Sequence, residues 1–301
     1  MRITQNTISI LLSTDEHYMI MLAVLLKSIE VNHKTPAKIH VVVICDKVKA
    51  GSQRKVEMSL NPDIIEIRWI NMKDVLPPAI KLPIDHTSFS LIVYMRLFVG
   101  SLFPVGTKKA LYMDTDMLVL DDISKLYHID IGDDTIGAVQ DPRLLTFDNP
   151  WGGVLNYKEL GFKPQTKYFN TGLLLIDIPK WIEQKIPQRV LDTIKKNIKF
   201  ANYPDQYGLN IILAEKWTEL HPRWNAFASD NLNDPGIVHF IGRKPIYRTY
   251  TYNQHYLELF EHYKKLTAWR DVKPINEFHR YLKKINNIGV KLREKLSNTI
   301  K

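Results

Sequence analysis

Residues 111–120 read LYMDTDMLVL, two acids held between two apolar runs. Ala110–Met113 and Met117–Leu120 have the large and β-branched residues of short buried strands, so Asp114-Thr115-Asp116 falls where one strand ends and the next begins. On extended backbone the side chains at i and i+2 point the same way, and both carboxylates can approach one ion. Acids beside a sheet core are costly unless they are paired or bound to metal. The D-x-D spelling is weak by itself, because a solvated turn with two acids reads the same. Its place at a strand end, where open α/β sheets hold their ligands, gives it weight. It is also the only D-x-D in the chain.

Working outward, strand and helix patterns alternate. Ile8–Ser13, Lys38–Cys45 and Ile64–Ile70 read as buried strands, with helical patterns over Tyr18–Ile29 and Ser52–Leu60 between them. Ser88–Phe103 reads as a buried helix, and Ile136–Gln140, Gly172–Ile178 and Ile237–Ile241 as further strands. Strands separated by helices need crossover connections, which predicts an α/β fold with a largely parallel sheet covered on both faces. Between Pro142 and Lys167 runs a segment rich in Pro, Gly, Asn and Trp without periodicity; loops of that length are usually functional or mobile.

The 301 residues are 45% hydrophobic and 24% charged, which excludes a disordered or collagen-like chain. A single cysteine, Cys45, cannot close an intrachain disulfide. The start, MRITQNTISILLSTDEHY, has too short an apolar run for a leader or an anchor, and Tyr18–Leu26 falls well short of the about 20 residues that span a bilayer. The expectation is a soluble, cytoplasmic protein, peripheral on the inner face of the cytoplasmic membrane if it meets a membrane at all.

The formal charge of +9 asks for an acidic partner, and more than half of it is terminal. Residues 1–275 hold 34 basic and 30 acidic side chains, whereas residues 276–301 hold seven and two. There Phe278, Tyr281, Leu282, Ile285, Ile288, Leu292, Leu296 and Ile300 recur at helical spacing, with Arg280, Lys283, Lys284, Lys291, Arg293 and Lys295 mostly off that stripe. Such a basic amphipathic helix either packs its stripe on the body of the protein or lies on an anionic membrane.

Other residues group with the two acids. Asp15, in Ser13-Thr14-Asp15, follows the first strand, where a doubly wound sheet holds a nucleotide; it could equally cap the next helix. His239 precedes Gly242-Arg243-Lys244, a turn with two cations that suits a diphosphate beside a metal. Two carboxylates, an imidazole and phosphate oxygens suit Mn²⁺ better than Ca²⁺, with Mg²⁺ as the other choice. Arg96 lies on an otherwise apolar helix, and a buried guanidinium needs an acidic or phosphate partner. Asp205-Gln206 after Pro204 also reads as a plain helix start.

Six blocks in order, STDEHY (13–18), YMRL (94–97), LYMDTDMLVL (111–120), YFNTGLLLID (168–177), YPDQYGLN (203–210) and HFIGRKP (239–245), resemble the retaining glycosyltransferases of family 8, which include bacterial lipopolysaccharide galactosyl- and glucosyltransferases and glycogenin. The resemblance implies a GT-A fold, Rossmann-like, as a catalytic domain over residues 1–245, with a helical extension and basic tail over 246–301. It implies a UDP-sugar donor, with Asp114, Asp116 and His239 as ligands of Mn²⁺ or Mg²⁺. Asp15, with Thr14 and Tyr18, would hold the uridine; Thr115, Gly242, Arg243 and Lys244 would line the diphosphate. Arg96, Asp141, Asn170, Asp205 and Gln206 would form the donor-sugar and reaction-centre set. This chain departs from the family in carrying only Arg243 between Gly242 and Lys244, in Ile246-Tyr247 where a Trp follows, and in His17 where Asn is common. The implied activity is transfer of galactose or glucose to a glycan or glycolipid such as lipopolysaccharide core, with no nucleic-acid partner. The competing classes are a sugar-nucleotide pyrophosphorylase, for which Ser13–Tyr18 lacks the glycine-rich loop, and a non-enzymatic membrane-surface or nucleic-acid-binding protein.

Overall fold

The computed structural model describes residues 7–77 and 80–299. Ile300 of the terminal stripe, and the first six residues of the segment read above as neither leader nor anchor, lie outside the described residues. Among the described residues there are ten strands: β1 (Thr7–Asp15), β2 (Lys38–Asp46), β3 (Ile65–Asn71), β4 (Lys109–Asp114), β5 (Met117–Val119), β6 (Ile136–Gln140), β7 (Phe169–Asp177), β8 (Trp217–Glu219), β9 (Ala226–Phe227) and β10 (Ile237–His239). Seven form the main sheet in the order β3-β2-β1-β4-β7-β6-β8, and β5-β10-β9 form a small second sheet.

The apolar runs of β1 and β2 are continuous because both faces of the sheet are buried. Leu11, Val42 and Ile44 face one core layer with the Leu91–Ser101 helix; Ile10, Leu12, Val41 and Val43 face the other, with the Met19–Asn32 helix. A third cluster joins Met21, Val24, Leu118 and Phe240 to Tyr247 and Phe260, so the chain after residue 245 packs against the small sheet.

The sequence reading needs three adjustments. The sheet is parallel except at β7, which runs antiparallel to β4 and β6. The short β8 and β9 have too few residues for a periodic signal. The buried helix expected over 88–103 is a 3₁₀ helix, Leu91–Ser101, long for its type. Three residues per turn stack Arg96 over Val93, whose carbonyl accepts from Arg96 Nε at 3.1 Å.

Three features of register converge on the D-x-D turn. Parallel pairing of β1 with β4 sets Ser13 beside Asp114. Antiparallel pairing of β10 with β5 sets His239 opposite Met117, and Phe240 N–H donates to the Asp116 carbonyl at 2.9 Å. The β6–β7 register shifts between Ala138 and Val139, a bulge that turns residues 170–172 toward the same point.

Candidate active site

Asp114, Asp116 and His239 each offer a ligand atom, and these atoms lie within 4.8 Å of one another. His239 Nε2 is 3.2 Å from Asp116 Oδ1 and 3.8 Å from Asp114 Oδ2. The second oxygen of each acid is engaged elsewhere. Asp114 Oδ1 accepts from Arg96 Nη2 at 3.0 Å and from the Tyr112 hydroxyl at 2.7 Å. Asp116 Oδ2 pairs with the Lys244 ammonium, which also donates to the Phe240 carbonyl. Burial works to raise the Asp116 pKa, but the Lys244 ammonium prevails and holds it well below the carboxylate range.

A chain of hydrogen bonds fixes which nitrogen of His239 faces the acids. It starts at Asp141, a buried carboxylate that accepts from the backbone N–H of Arg143 at 2.9 Å and of Leu144 at 3.0 Å. A carboxylate can only accept, so Asn170 donates its Nδ2 to Asp141 at 2.9 Å and turns Oδ1 the other way. That oxygen accepts from Gly172 N–H and from Asn225 Nδ2, both at 2.9 Å. Asn225 Oδ1 is then left to accept from His239 Nδ1 at 2.9 Å. With Nδ1 committed as the donor, Nε2 presents a lone pair toward the two carboxylates. Two hard oxygens and one imidazole nitrogen, backed by a second layer that orients them, fit a divalent ion such as Mn²⁺ or Mg²⁺. Gly172 lies against this cluster: a Cβ there would collide with His239 Cε1 and stand 3.0 Å from Asp114 Oδ2.

Arg96 ties Asp114 to Asp205, one of the residues expected at the reaction centre. It is 5% exposed, stacks on the Tyr112 ring at 4.4 Å, and donates to the Thr171 carbonyl at 2.5 Å. Its Nε lies 3.0 Å from Asp205 Oδ2, so one guanidinium bridges Asp114 and Asp205. Burial draws the Arg96 pKa down, Asp114 and Asp205 push it up, and the acids win. Burial also pushes the Asp205 carboxyl up, against Arg96. Asp205 lies in the first turn of the helix Pro204–Ile212 but does not cap it, since the cap position is Tyr203. Gln206 Oε1 accepts from Thr171 N–H at 3.0 Å and from its hydroxyl at 3.2 Å.

The residues expected on the nucleotide side lie around the neighbouring strand end. Asp15 caps the short helix Glu16–Tyr18 by accepting from His17 N–H at 3.1 Å, yet it also lines a cavity of about 680 Å³ with Asp46, Met72 and Ser90. Thr14 is buried, its hydroxyl 3.3 Å from the Asp15 carbonyl. Thr115 is buried in the turn between the two acids. Gly242 has φ +81°, a conformation that lets the chain double back and bring Lys244 to Asp116. Arg243 is not brought to the acids; it points at Glu277, 3.9 Å away.

Sequence reasoning missed Asn225 and Gly172, whose roles arise from contacts across four strands, and Tyr112, which stood inside the quoted motif as an apparent core residue.

With that geometry in place, the comparisons decide the family. Residues 9–245 match Glycosyl transferase family 8. The chain belongs to that family. It is 27% identical over 279 residues to General stress protein A of Bacillus subtilis, covering 86% of this chain and 93% of that one. It is 25% identical over 224 residues to the lipopolysaccharide glucosyltransferase WaaO of Escherichia coli, 65% of each chain. Among solved structures, the galactosyltransferase LgtC in complex with donor and acceptor sugar analogues superposes with a TM-score of 0.70 at 24% identity, over 87% of this chain and 96% of that one. The fold is therefore GT-A, and this family 8 chain is a glycosyltransferase.

The relay from Asp141 to His239 has a direct test. Asn225→Leu leaves His239 Nδ1 without its acceptor, and Mn²⁺ affinity is expected to fall about 10- to 100-fold. Titration of free Mn²⁺ by its EPR signal measures this; an unchanged affinity would contradict the relay.

Proposed function

We propose that this glycosyltransferase is a Mn²⁺-dependent, retaining hexosyltransferase that moves glucose or galactose from a UDP-sugar to a hydroxyl of a glycan or glycolipid, such as a lipopolysaccharide core. The observation that carries the reading is the orientation of His239 Nε2 and two carboxylate oxygens onto one point, one strand away from the Asp15 cavity. Asp114, Asp116 and His239 would hold the ion, whose charge neutralises the diphosphate leaving group. Lys244 adds a local cation on the same side, held to Asp116 and able to meet phosphate oxygens. Asp15 would accept from the uracil, with Thr14 and Tyr18 beside it, while Thr115 and Gly242 shape the diphosphate's surroundings. Arg243, turned to Glu277, is the least placed for such a contact.

On the sugar side, Arg96, Asp141 and Asn170 keep a fixed polar wall around the anomeric carbon. A retaining reaction by double displacement needs a free carboxylate beneath that carbon. Asp205 is buried and paired with Arg96, and the Gln206 amide is held by Thr171. Both observations favour same-face attack by the acceptor hydroxyl as UDP departs, with a phosphate oxygen taking the proton.

The terminal segment supports a membrane-borne acceptor. Its apolar stripe does not pack on the body: Phe278, Tyr281, Leu282, Ile285, Ile288, Leu292 and Leu296 are 43% to 66% exposed. Among the described residues no helix is long and apolar enough to cross a membrane. An exposed stripe in a segment that holds five cations besides the inward-turned Lys283 and Lys291, against two acids, suits an anionic lipid surface.

UDP release from UDP-glucose and UDP-galactose with Mn²⁺ and a glycan acceptor tests the chemistry. Asp116→Ala is expected to lower turnover by about a hundredfold or more while circular dichroism stays unchanged; retained activity would sink the metal assignment. Sedimentation with phosphatidylglycerol vesicles tests the surface. Wild type is expected to co-sediment and Ile285→Glu/Leu292→Glu to stay in solution, and equal behaviour would refute the membrane partner.

A further inference from the structure

The stripe is exposed because the opposite face of the Phe278–Thr299 helix is the one that docks, and it docks on the Asp15 cavity. His279, Lys283, Asn286 and Asn287 form one wall of that cavity. Two lysines, two turns apart on this face, reach into the protein, and their surroundings differ. Lys291 is fully satisfied: its ammonium lies 2.6 Å from Asp85, 3.1 Å from the Thr87 carbonyl and 3.3 Å from the Thr87 hydroxyl. Tyr94 holds the far oxygen of Asp85 at 3.0 Å, and Asn287 donates to the Ser88 carbonyl at 3.0 Å. That set is a structural clamp.

Lys283 has no such set. Its ammonium is 2.6 Å from Asp15 Oδ2 and sits 3.6 Å from the centre of the Tyr18 ring. The nitrogen is buried and otherwise lacks a hydrogen-bond partner of good geometry among the described residues. Three N–H donors on a buried cation with one anionic neighbour leave capacity for an incoming acceptor. Burial draws the Lys283 pKa below that of an ordinary lysine, with Asp15 opposing, and the field of both Lys244 and Asp116 reaches it. It lines the cavity at the end of β1 together with Asp15, and β1 pairs with β4 so that Ser13 stands beside Asp114; a nucleoside diphosphate held by Asp15 and the two acids would pass this strand end.

We propose that Lys283, delivered by the terminal helix, is a donor-binding residue: its ammonium, paired here with Asp15, turns to the diphosphate oxygens of a bound nucleotide sugar and frees Asp15 for the base. This rests on the reading of the site as a UDP-sugar site. A diphosphate carries more negative charge than one carboxylate and offers several oxygens, so the exchange is favourable for a cation with unmet donors. The same movement gives the basic tail a role in donor binding in addition to its outward, apolar face. The Lys291 clamp keeps the helix in place while the Lys283 side chain changes partner.

Calorimetric titration of the full-length protein with uridine and with UDP, both with Mn²⁺, tests this. Lys283→Met is expected to weaken UDP binding about tenfold, the loss of one charge-assisted contact. It should leave uridine binding unchanged or tighter, since Asp15 is released. Lys283→Arg should retain most of the UDP affinity. Lys291→Met, which loosens the whole helix, should not produce that split between UDP and uridine. UDP binding to Lys283→Met as tight as to wild type, or tighter, would overturn the proposal and make Lys283 a plug. If wild type binds neither ligand, the UDP-sugar reading fails and this inference goes with it.

Discussion

A buried guanidinium must have anions around it, and in this protein Arg96 has two. Its side chain bridges Asp114 at 3.0 Å and Asp205 at 3.0 Å, with Cζ 4.4 Å from the centre of the Tyr112 ring. Removing one partner from a buried pair of this kind typically costs about 3–5 kcal/mol, because a charge is left stranded. The constraint reaches outward in both directions. Asp114 spends one oxygen on Arg96 and Tyr112, so only the other can turn toward His239. Asp205 spends its charge on the same cation, which removes it as a free nucleophile and leaves Gln206 beside it, fixed by Thr171. A lysine could not replace Arg96 here, since a point charge lacks both the fork and the flat face.

The second half of the centre is set by the direction of a hydrogen-bond chain. Asp141 can only accept, and that single fact propagates through Asn170 and Asn225 to the imidazole. Side-chain networks of this sort are worth keeping only when their members are satisfied: Asp141, Asn170 and Asn225 all find partners, and His239 spends Nδ1 on Asn225 while Nε2 keeps its lone pair toward the two acids. The strand registers make the chain possible: β7 supplies Asn170 and Gly172, β10 supplies His239, and the segment before β9 supplies Asn225. The bulge between β6 and β7 is what lets Asn170 face Asp141 rather than continue the ladder.

Much of this was legible in the residues. The eight expected strands all occur, because continuous β-branched runs such as KIHVVVIC admit few alternatives. Asp114, Asp116 and His239 do meet, and Arg96 does carry acidic partners as its burial required. What could not be read was pairing direction and the second layer. Nothing local in FNTGLLLID distinguishes a parallel from an antiparallel neighbour, and Asn225 stands in RWNAF without a pattern. The terminal helix was legible as amphipathic but not in which face it turns inward; a stripe of apolar residues ordinarily packs, and here the lysines do. That inward face brings Lys283 to Asp15 and Lys291 to the buried Asp85, giving both acids a cation.

The Asp141–Asn170–Asn225 relay holds His239 so that Nε2, and not Nδ1, faces the two carboxylates, where it would serve as a ligand of the proposed metal site. Pulsed EPR of the Mn²⁺-loaded protein, prepared with histidine labelled with ¹⁵N at Nε2 alone, reads this directly. The account predicts the hyperfine coupling of a single directly bound imidazole nitrogen, absent in His239→Ala. A spectrum showing oxygen and water coordination with no ¹⁵N coupling would contradict it.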